Sequence, residues 1–186
     1  MRKLLHIFLS ACIICVALAC DRDELKSVVK RNTGENTPTM VSMNVTTLVS
    51  DSGITQYRIT TKEWRMYEMA QQPFWVFPYG VKLEEFDKNF KVEASVRSDS
   101  AIYHKSQQLW ELIGDVRIEN IRKELILTNQ LFWDQRSQEI YSDSFIHVEQ
   151  TDRTIEGYGF KSNERLTTYK IKEVSSILPA QIKKKQ

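Results

Sequence analysis

The chain has 186 residues, 41% of them hydrophobic and 27% charged, which is material for one domain of ordinary size plus a leader. Those proportions exclude both a disordered tail and a multispanning membrane protein. Basic residues number 26 against 24 acidic ones, but Arg2 and Lys3 precede an apolar run; the body behind them is neutral, nucleic acid is not an expected partner, and Lys183-Lys184-Lys185 is a solvated terminus.

Arg2-Lys3, followed by an apolar stretch over residues 4–19 broken only by the polar His6 and Ser10, has the charged and apolar regions of an export leader. All three cysteines, Cys12, Cys15 and Cys20, lie in or directly behind it, so the body can form neither a disulfide nor a thiolate metal site. Val16-Ala17-Leu18-Ala19-Cys20, with Asp21 next, resembles a bacterial lipoprotein signal, which makes Cys20 the expected lipidation site. Leu9-Ser10-Ala11-Cys12 fits the local pattern too, but cleavage there would expose Ile13 to Leu18 in the mature protein. The other reading is an uncleaved anchor, because about 17 apolar residues is the shortest run that spans a bilayer. Residues 1–19 are thus a signal peptide or anchor, and 20–38 are a polar tether that ends at Pro38.

From residue 39 the pattern changes to alternation. Val41-Ser42-Met43-Asn44-Val45 alternates, Asp51-Ser52-Gly53 makes a turn, and residues 55–61 alternate again through Tyr57 and Ile59, which predicts a hairpin. Residues 62–72 form either an extension of that strand or one or two helical turns that stop before Pro73. Pro73-Phe74-Trp75-Val76-Phe77-Pro78-Tyr79-Gly80 is dense in aromatics and carries two prolines, so it is expected as a covered loop or an apolar lip rather than a central strand. Strands are then predicted over 81–86, 90–98, 101–105, 109–121, 125–134, 139–150, 154–161 and 166–172, divided by short polar breaks. In Asp115-Val116-Arg117-Ile118-Glu119 the alternation is unbroken, which a half-buried strand produces and a helix does not. A chain of ten or more such strands is a meander that closes as a sandwich, barrel or jelly roll over 39–173, with 174–186 left as a tail.

Catalytic equipment is sparse. His104 and His147 are far apart in sequence and have no partners at metal-ligand spacing. Phosphate-loop and nucleophile-elbow patterns are missing, and Glu84-Glu85 point to opposite faces of one strand. The expectation is a protein that is not an enzyme and uses no cofactor and no metal. What remains is the interior that the alternating strands enclose.

Ser98-Asp99-Ser100-Ala101-Ile102-Tyr103, Trp110-Glu111-Leu112-Ile113-Gly114-Asp115-Val116, residues 125–134, Ile140-Tyr141-Ser142 and Ile155-Glu156-Gly157-Tyr158-Gly159-Phe160 follow one another in an order that resembles the LptC family of lipopolysaccharide-export proteins, in a lipoprotein-like form. The resemblance implies an antiparallel, twisted, open β-jelly roll behind a membrane-anchoring leader, at the periplasmic face of the inner membrane. It implies a domain that takes lipopolysaccharide from an inner-membrane ABC transporter and its permease subunits, and passes it to a periplasmic bridge protein of the LptA type. The family's uncleaved transmembrane helix is where this chain departs, since a lipidated Cys20 would replace it.

An acyl-chain groove needs inward apolar residues. The candidates are Val92, Ala94, Val96, Val116, Ile118, Leu125, Leu127, Ile146, Val148 and Ile155; the same residues would serve equally to fill a dry core. Two edge strands are expected as couplings by strand addition: 41–49, through Val41, Met43 and Val45, toward the transporter, and 166–172, through Leu166, Thr168 and Lys170, toward the bridge protein. Lys170 and Lys172 would also suit a blunted edge. The competing reading is a surface or periplasmic β-sandwich lipoprotein with a solid core that binds protein or glycan through its loops.

Overall fold

The structure, a computed structural model, describes residues 37–179. The leader, Cys20 and most of the tether lie outside the described residues, as does the chain beyond 179. The described residues form an 11-stranded antiparallel sheet: β1 (Met40–Asp51), β2 (Ile54–Tyr67), β3 (Phe74–Phe77), β4 (Val81–Phe86), β5 (Val92–Ser98), β6 (Ser100–His104), β7 (Leu109–Glu119), β8 (Leu125–Asp134), β9 (Glu139–Glu149), β10 (Arg153–Asn163) and β11 (Tyr169–Pro179). No helix occurs among these residues. No described helix is long and apolar enough to cross a membrane.

Neighbours in sequence are mostly neighbours in the sheet, as alternating runs with short turns dictate. Two long strands each carry two partners along one side. β2 pairs with β4 through Tyr57 to Thr61 and with β3 through Arg65 to Tyr67, while β7 pairs with β6 through its first half and with β5 through Arg117 to Glu119. β3 and β4 are thus one strand interrupted at Pro78-Tyr79-Gly80, and β5 and β6 one strand interrupted at Asp99. Similar breaks cross the rest of the sheet. The register slips between Ile113 and Val116 on β7, between Thr128 and Phe132 on β8, and between Tyr158 and Phe160 on β10. Gly80, Gly114 and Gly159 sit at these breaks with φ of 92°, 78° and 72°, a region glycine enters without strain.

Breaking a ladder strands backbone polar groups, and buried hydroxyls take them up. Thr61 Oγ1 donates to the Gly80 carbonyl at 2.8 Å, Ser98 Oγ to Ser100 at 2.8 Å, Thr128 Oγ1 to Phe145 at 2.8 Å and Ser142 Oγ to Gln130 at 2.7 Å. The breaks therefore line up as one seam along which the twisted sheet bends into two facing layers, a β-jelly roll. Tyr57 of β2 lies against Trp133 of β8 across the interior, with ring centroids 5.4 Å apart. The β7–β8 turn also reaches the β10–β11 loop: Asn120 Nδ2 donates to the Leu166 carbonyl at 3.3 Å and Arg122 Nη1 to that of Thr167 at 2.7 Å.

Two expectations are corrected and one left open is decided. Phe74–Phe77 is a strand between β2 and β6, not a loop or lip; both prolines fall outside the four paired residues, so no ladder donor is lost. Of the two readings left open for residues 62–72, the strand extension holds, and 62–67 continue β2. The last strand begins at Tyr169 and runs to Pro179, past the residue 174 where a tail was expected. Leu166 and Thr168 precede it in a loop, where Leu166 takes φ of 54° and is fully buried.

Candidate functional site

The interior is built from alternate residues on both sides of the seam. On one layer Ile59, Leu83, Ala94, Val116, Ile118, Ile126, Ile146 and Val148 face inward; on the other the inward residues are Phe77, Ala101, Trp110, Leu112, Leu131, Ile140 and Phe160. The second layer carries most of the rings. Trp64, Trp75, Tyr103 and Trp110 approach one another in sequence at centroid distances of 4.9 to 5.5 Å, partly through Phe77. Tilted and offset contacts at that spacing are the favoured aromatic geometry.

Of the ten predicted groove residues, Val116, Ile118, Ile146 and Val148 are brought together with no exposed surface, and Ala94 joins them at 7%. Val96 and Ile155 are half-buried and pack against the same cluster. Val92, at the start of β5, is 41% exposed. Leu125 and Leu127 face the other way: β8 pairs Ile118 with Ile126, so Ile126 takes the inward place and the two leucines lie half-buried on the outer face. Sequence reasoning missed Ile126 because three consecutive apolar residues give no phase. It also missed Trp133, Phe160 and Tyr57, whose alternation with Ile59 was visible.

At the margin of the interior, Tyr57, Leu83, Glu85, Trp133, Ile140 and Glu164 line a cleft of about 40 Å³. This is well below the roughly 300 Å³ at which small-molecule sites begin. Burial, with the charges of Glu85 and Glu164, pushes the Tyr57 hydroxyl up to about 12. Burial and the Glu164 charge likewise raise Glu85. Its neighbour Glu84 behaves in the opposite way. It points outward, accepts from Arg58 Nε and Lys82 Nζ at 2.7 Å each, and is held below the usual carboxylate range, chiefly by Arg58.

Adjacent carboxylates with opposite shifts give opposite linkage. A depressed group supplies stability above its unfolded pKa that is lost as pH falls, so Glu84→Gln is expected to lower the thermal midpoint near neutral pH and to cost progressively less below about pH 4. A raised group is unfavourable once ionised, so Glu85→Gln is expected to raise the midpoint near neutral pH and to be silent below about pH 4. Thermal melts of both variants at the two pH values check the signs.

The sheet has two open edges. β1 pairs only with β2 and exposes Met40, Val41, Met43, Leu48 and Val49; β11 pairs only with β10 and exposes Val174, Ile177 and Leu178. Val45 is half-buried and Lys170 exposed, each on its edge strand. Unpaired backbone beside exposed apolar side chains is the chemistry of strand addition. Among the described residues, no cluster of three or more His, Cys, Asp or Glu side chains is placed to hold a metal.

A family model described as "Lipopolysaccharide-assembly, LptC-related" matches residues 5–176. No protein among the curated ones compared matches the chain.

Proposed function

Because the chain belongs to the LptC family, we propose that it is a periplasmic bridge component of lipopolysaccharide export, which accepts the lipid's acyl chains between its two layers and passes them to the next bridge protein. Membership itself gives the chain a role in lipopolysaccharide transport. The observation that carries the finer reading is the continuous apolar inner face, shared by strands from β2 to β10 and bent on one seam, with an open edge strand on each side. Such a body binds apolar chains by area and joins partners by backbone hydrogen bonds. In this reading β1 meets the periplasmic part of the inner-membrane ABC transporter and β11 meets an LptA-type protein. The anchor is lipidated Cys20 or an uncleaved N-terminal helix, and it holds the domain at the periplasmic face of the inner membrane.

Photo-crosslinking side chains at Val96 and Ile155 test the interior, because these half-buried places tolerate a larger group that Val116 and Ile146 would not. Adducts with lipopolysaccharide are expected at both. Their absence from a folded domain would reject the acyl-chain reading. The complete burial of Val116, Ile118, Ile146 and Val148 favours a second reading, a solid sandwich that binds protein or glycan through its loops. Mass spectrometry of organic extracts from the gently purified protein separates the two: copurifying lipid supports the first.

A further inference from the structure

A single loop stands between an outer recess and the interior. The recess, about 780 Å³, lies between the β8–β9 turn and the β10–β11 loop, and its walls include Ser137, Lys161, Arg165, Thr168 and Lys170. That volume falls within the roughly 300–1,000 Å³ of ligand pockets, and its lining is polar and of mixed charge: Lys161 is paired with Glu139 at 2.8 Å, and Arg165 and Lys170 stand with Glu164. The inner cleft beside Tyr57, Leu83, Trp133 and Ile140 is on the other side, and Glu164 lines both spaces. Residues 163–168 are therefore the partition.

Leu166 is the part of this partition that faces inward. It has no exposed surface, belongs to the main apolar cluster, and holds φ of 54°, a conformation that a bulky side chain rarely adopts. A loop residue kept in a strained conformation needs its surroundings to hold it there. Asn163 closes this loop on itself, its carbonyl accepting from the Leu166 N–H at 3.0 Å and its Oδ1 from the Thr167 N–H at 3.0 Å, so the segment is braced as one body. It is fastened to the rest of the fold by Asn120 Nδ2 and Arg122 Nη1 donating to the Leu166 and Thr167 carbonyls, by Ser162 Oγ donating to the Thr168 carbonyl at 2.9 Å, and by the Glu164 N–H donating to Gln138 at 3.0 Å. Opposing them, the carboxylates of Glu164 and Glu85 share the cleft, where burial and the Glu164 charge raise Glu85. The titratable and charged groups around Glu85 are Tyr57, Glu93, Glu164 and Arg165, so one cation stands among three anions or potential anions. Trp133, which also lines the cleft, keeps a buried indole Nε1 with no hydrogen-bond partner, a donor that suits an acyl ester or amide carbonyl.

We propose that residues 163–168 form a door between the recess and the interior, and that Leu166 is a resident stand-in for an acyl chain, displaced when a lipid enters with its polar head in the recess. This rests on the acyl-chain reading above and adds the place of entry. The closed door accounts for an interior that is apolar yet shut, since only the small open fraction of molecules would admit a ligand.

Leu166→Gly removes the plug and relieves the backbone, because glycine accepts positive φ. The variant is expected to stay folded and to bind N-phenylnaphthylamine, an apolar fluorescent probe, about tenfold or more tightly than the parent. Unchanged probe affinity in folded protein overturns the door. Arg122→Ala, an exposed change that removes one fastening, covers the case in which the glycine variant does not fold. It is expected to speed probe uptake, and an unchanged rate counts against the proposal. Lipopolysaccharide crosslinking at Val96 and Ile155 is read in parallel. A door that opens to the probe without lipopolysaccharide adducts in any variant rejects the functional reading alone; adducts with an insensitive door reject the door alone.

Discussion

Phe77→Ala is expected to lower the free energy of unfolding by about 3–5 kcal/mol, seen as a fall in the urea midpoint at unchanged slope. The ring has no exposed surface and lies 5.5 Å from Trp64 and 5.2 Å from Trp110, with the larger indoles on either side unable to close the space it would leave. Incomplete collapse puts such sites at the upper end of the range for large-to-small changes. Phe74→Ala is the control. Its ring stacks on Tyr67 at 4.5 Å but is half-buried, so its loss is expected to cost well under half as much. The comparison also decides what the proline-flanked aromatic segment does. If Phe77→Ala left the midpoint unchanged while weakening lipid binding, the segment would be a contact lip, not core.

That segment shows where the sequence was legible and where it was not. Strand existence came through almost everywhere, because turns such as Asp51-Ser52-Gly53 and Arg122-Lys123 interrupt apolar alternation at regular intervals. β7 and β9 even carry the same order of buried and exposed positions, residue for residue, so the inward pairs Val116 with Ile118 and Ile146 with Val148 were readable from local pattern alone. Phase was the weak point. On β8 the buried set runs Ile126, Thr128 and then Leu131, a change of one residue across the seam, and on β10 it shifts between Gly159 and Phe160. A bulge moves every later side chain to the other face. Its position depends on hydrogen bonds to neighbouring strands, such as Thr128 Oγ1 to Phe145, which no single strand's pattern contains. Leu166 fails for a related reason: a lone apolar residue before Thr167-Thr168-Tyr169 looks like the start of a strand, and only the reach of Asn120 from a distant turn makes it a plug.

Taken together, the seam and the edges divide the labour. The bends turn an open meander into two layers without closing a barrel, and an unclosed sheet must keep two edges. Most edge strands in soluble proteins are short or charged, whereas β1 presents Met40, Val41, Met43, Leu48 and Val49 over 12 residues. Retaining so long an apolar edge carries an aggregation risk that is offset only if a partner covers it. This is the physical argument for the proposed coupling at β1, and β11 repeats it with Val174, Ile177 and Leu178.

The second large effect concerns that last edge. Gly157→Ala is expected to destabilise the domain by about 1–3 kcal/mol and, beyond this, to loosen β11 selectively. Gly157 pairs with Val174 next to a register slip, and a methyl group there would press into the Glu173 carbonyl oxygen and come within 2.8 Å of Ile171 Cγ2. A flexible side chain could turn aside; the carbonyl belongs to β11 itself, so relief requires the strand to move. Gly159→Ala makes the contrast, since its methyl group would meet no backbone atom but the Lys172 side chain, whose Cδ and Cγ at 2.6 and 2.9 Å can rotate away while its Cβ at 3.0 Å need give by only a few tenths of an ångström; to this is added the cost of a φ of 72°, about 1–2 kcal/mol. Hydrogen exchange separates a strand-specific effect from general destabilisation. In Gly157→Ala the amides of β11 are expected to lose protection while those of β9, two strands further in, keep a protection set by global unfolding. Uniform loss across β9, β10 and β11 would show that the edge does not open by itself. Because strand addition needs the acceptor edge in register, the same substitution is expected to abolish capture of the proposed LptA-type partner at β11 and to leave capture at β1 intact, which pull-downs with each partner would resolve.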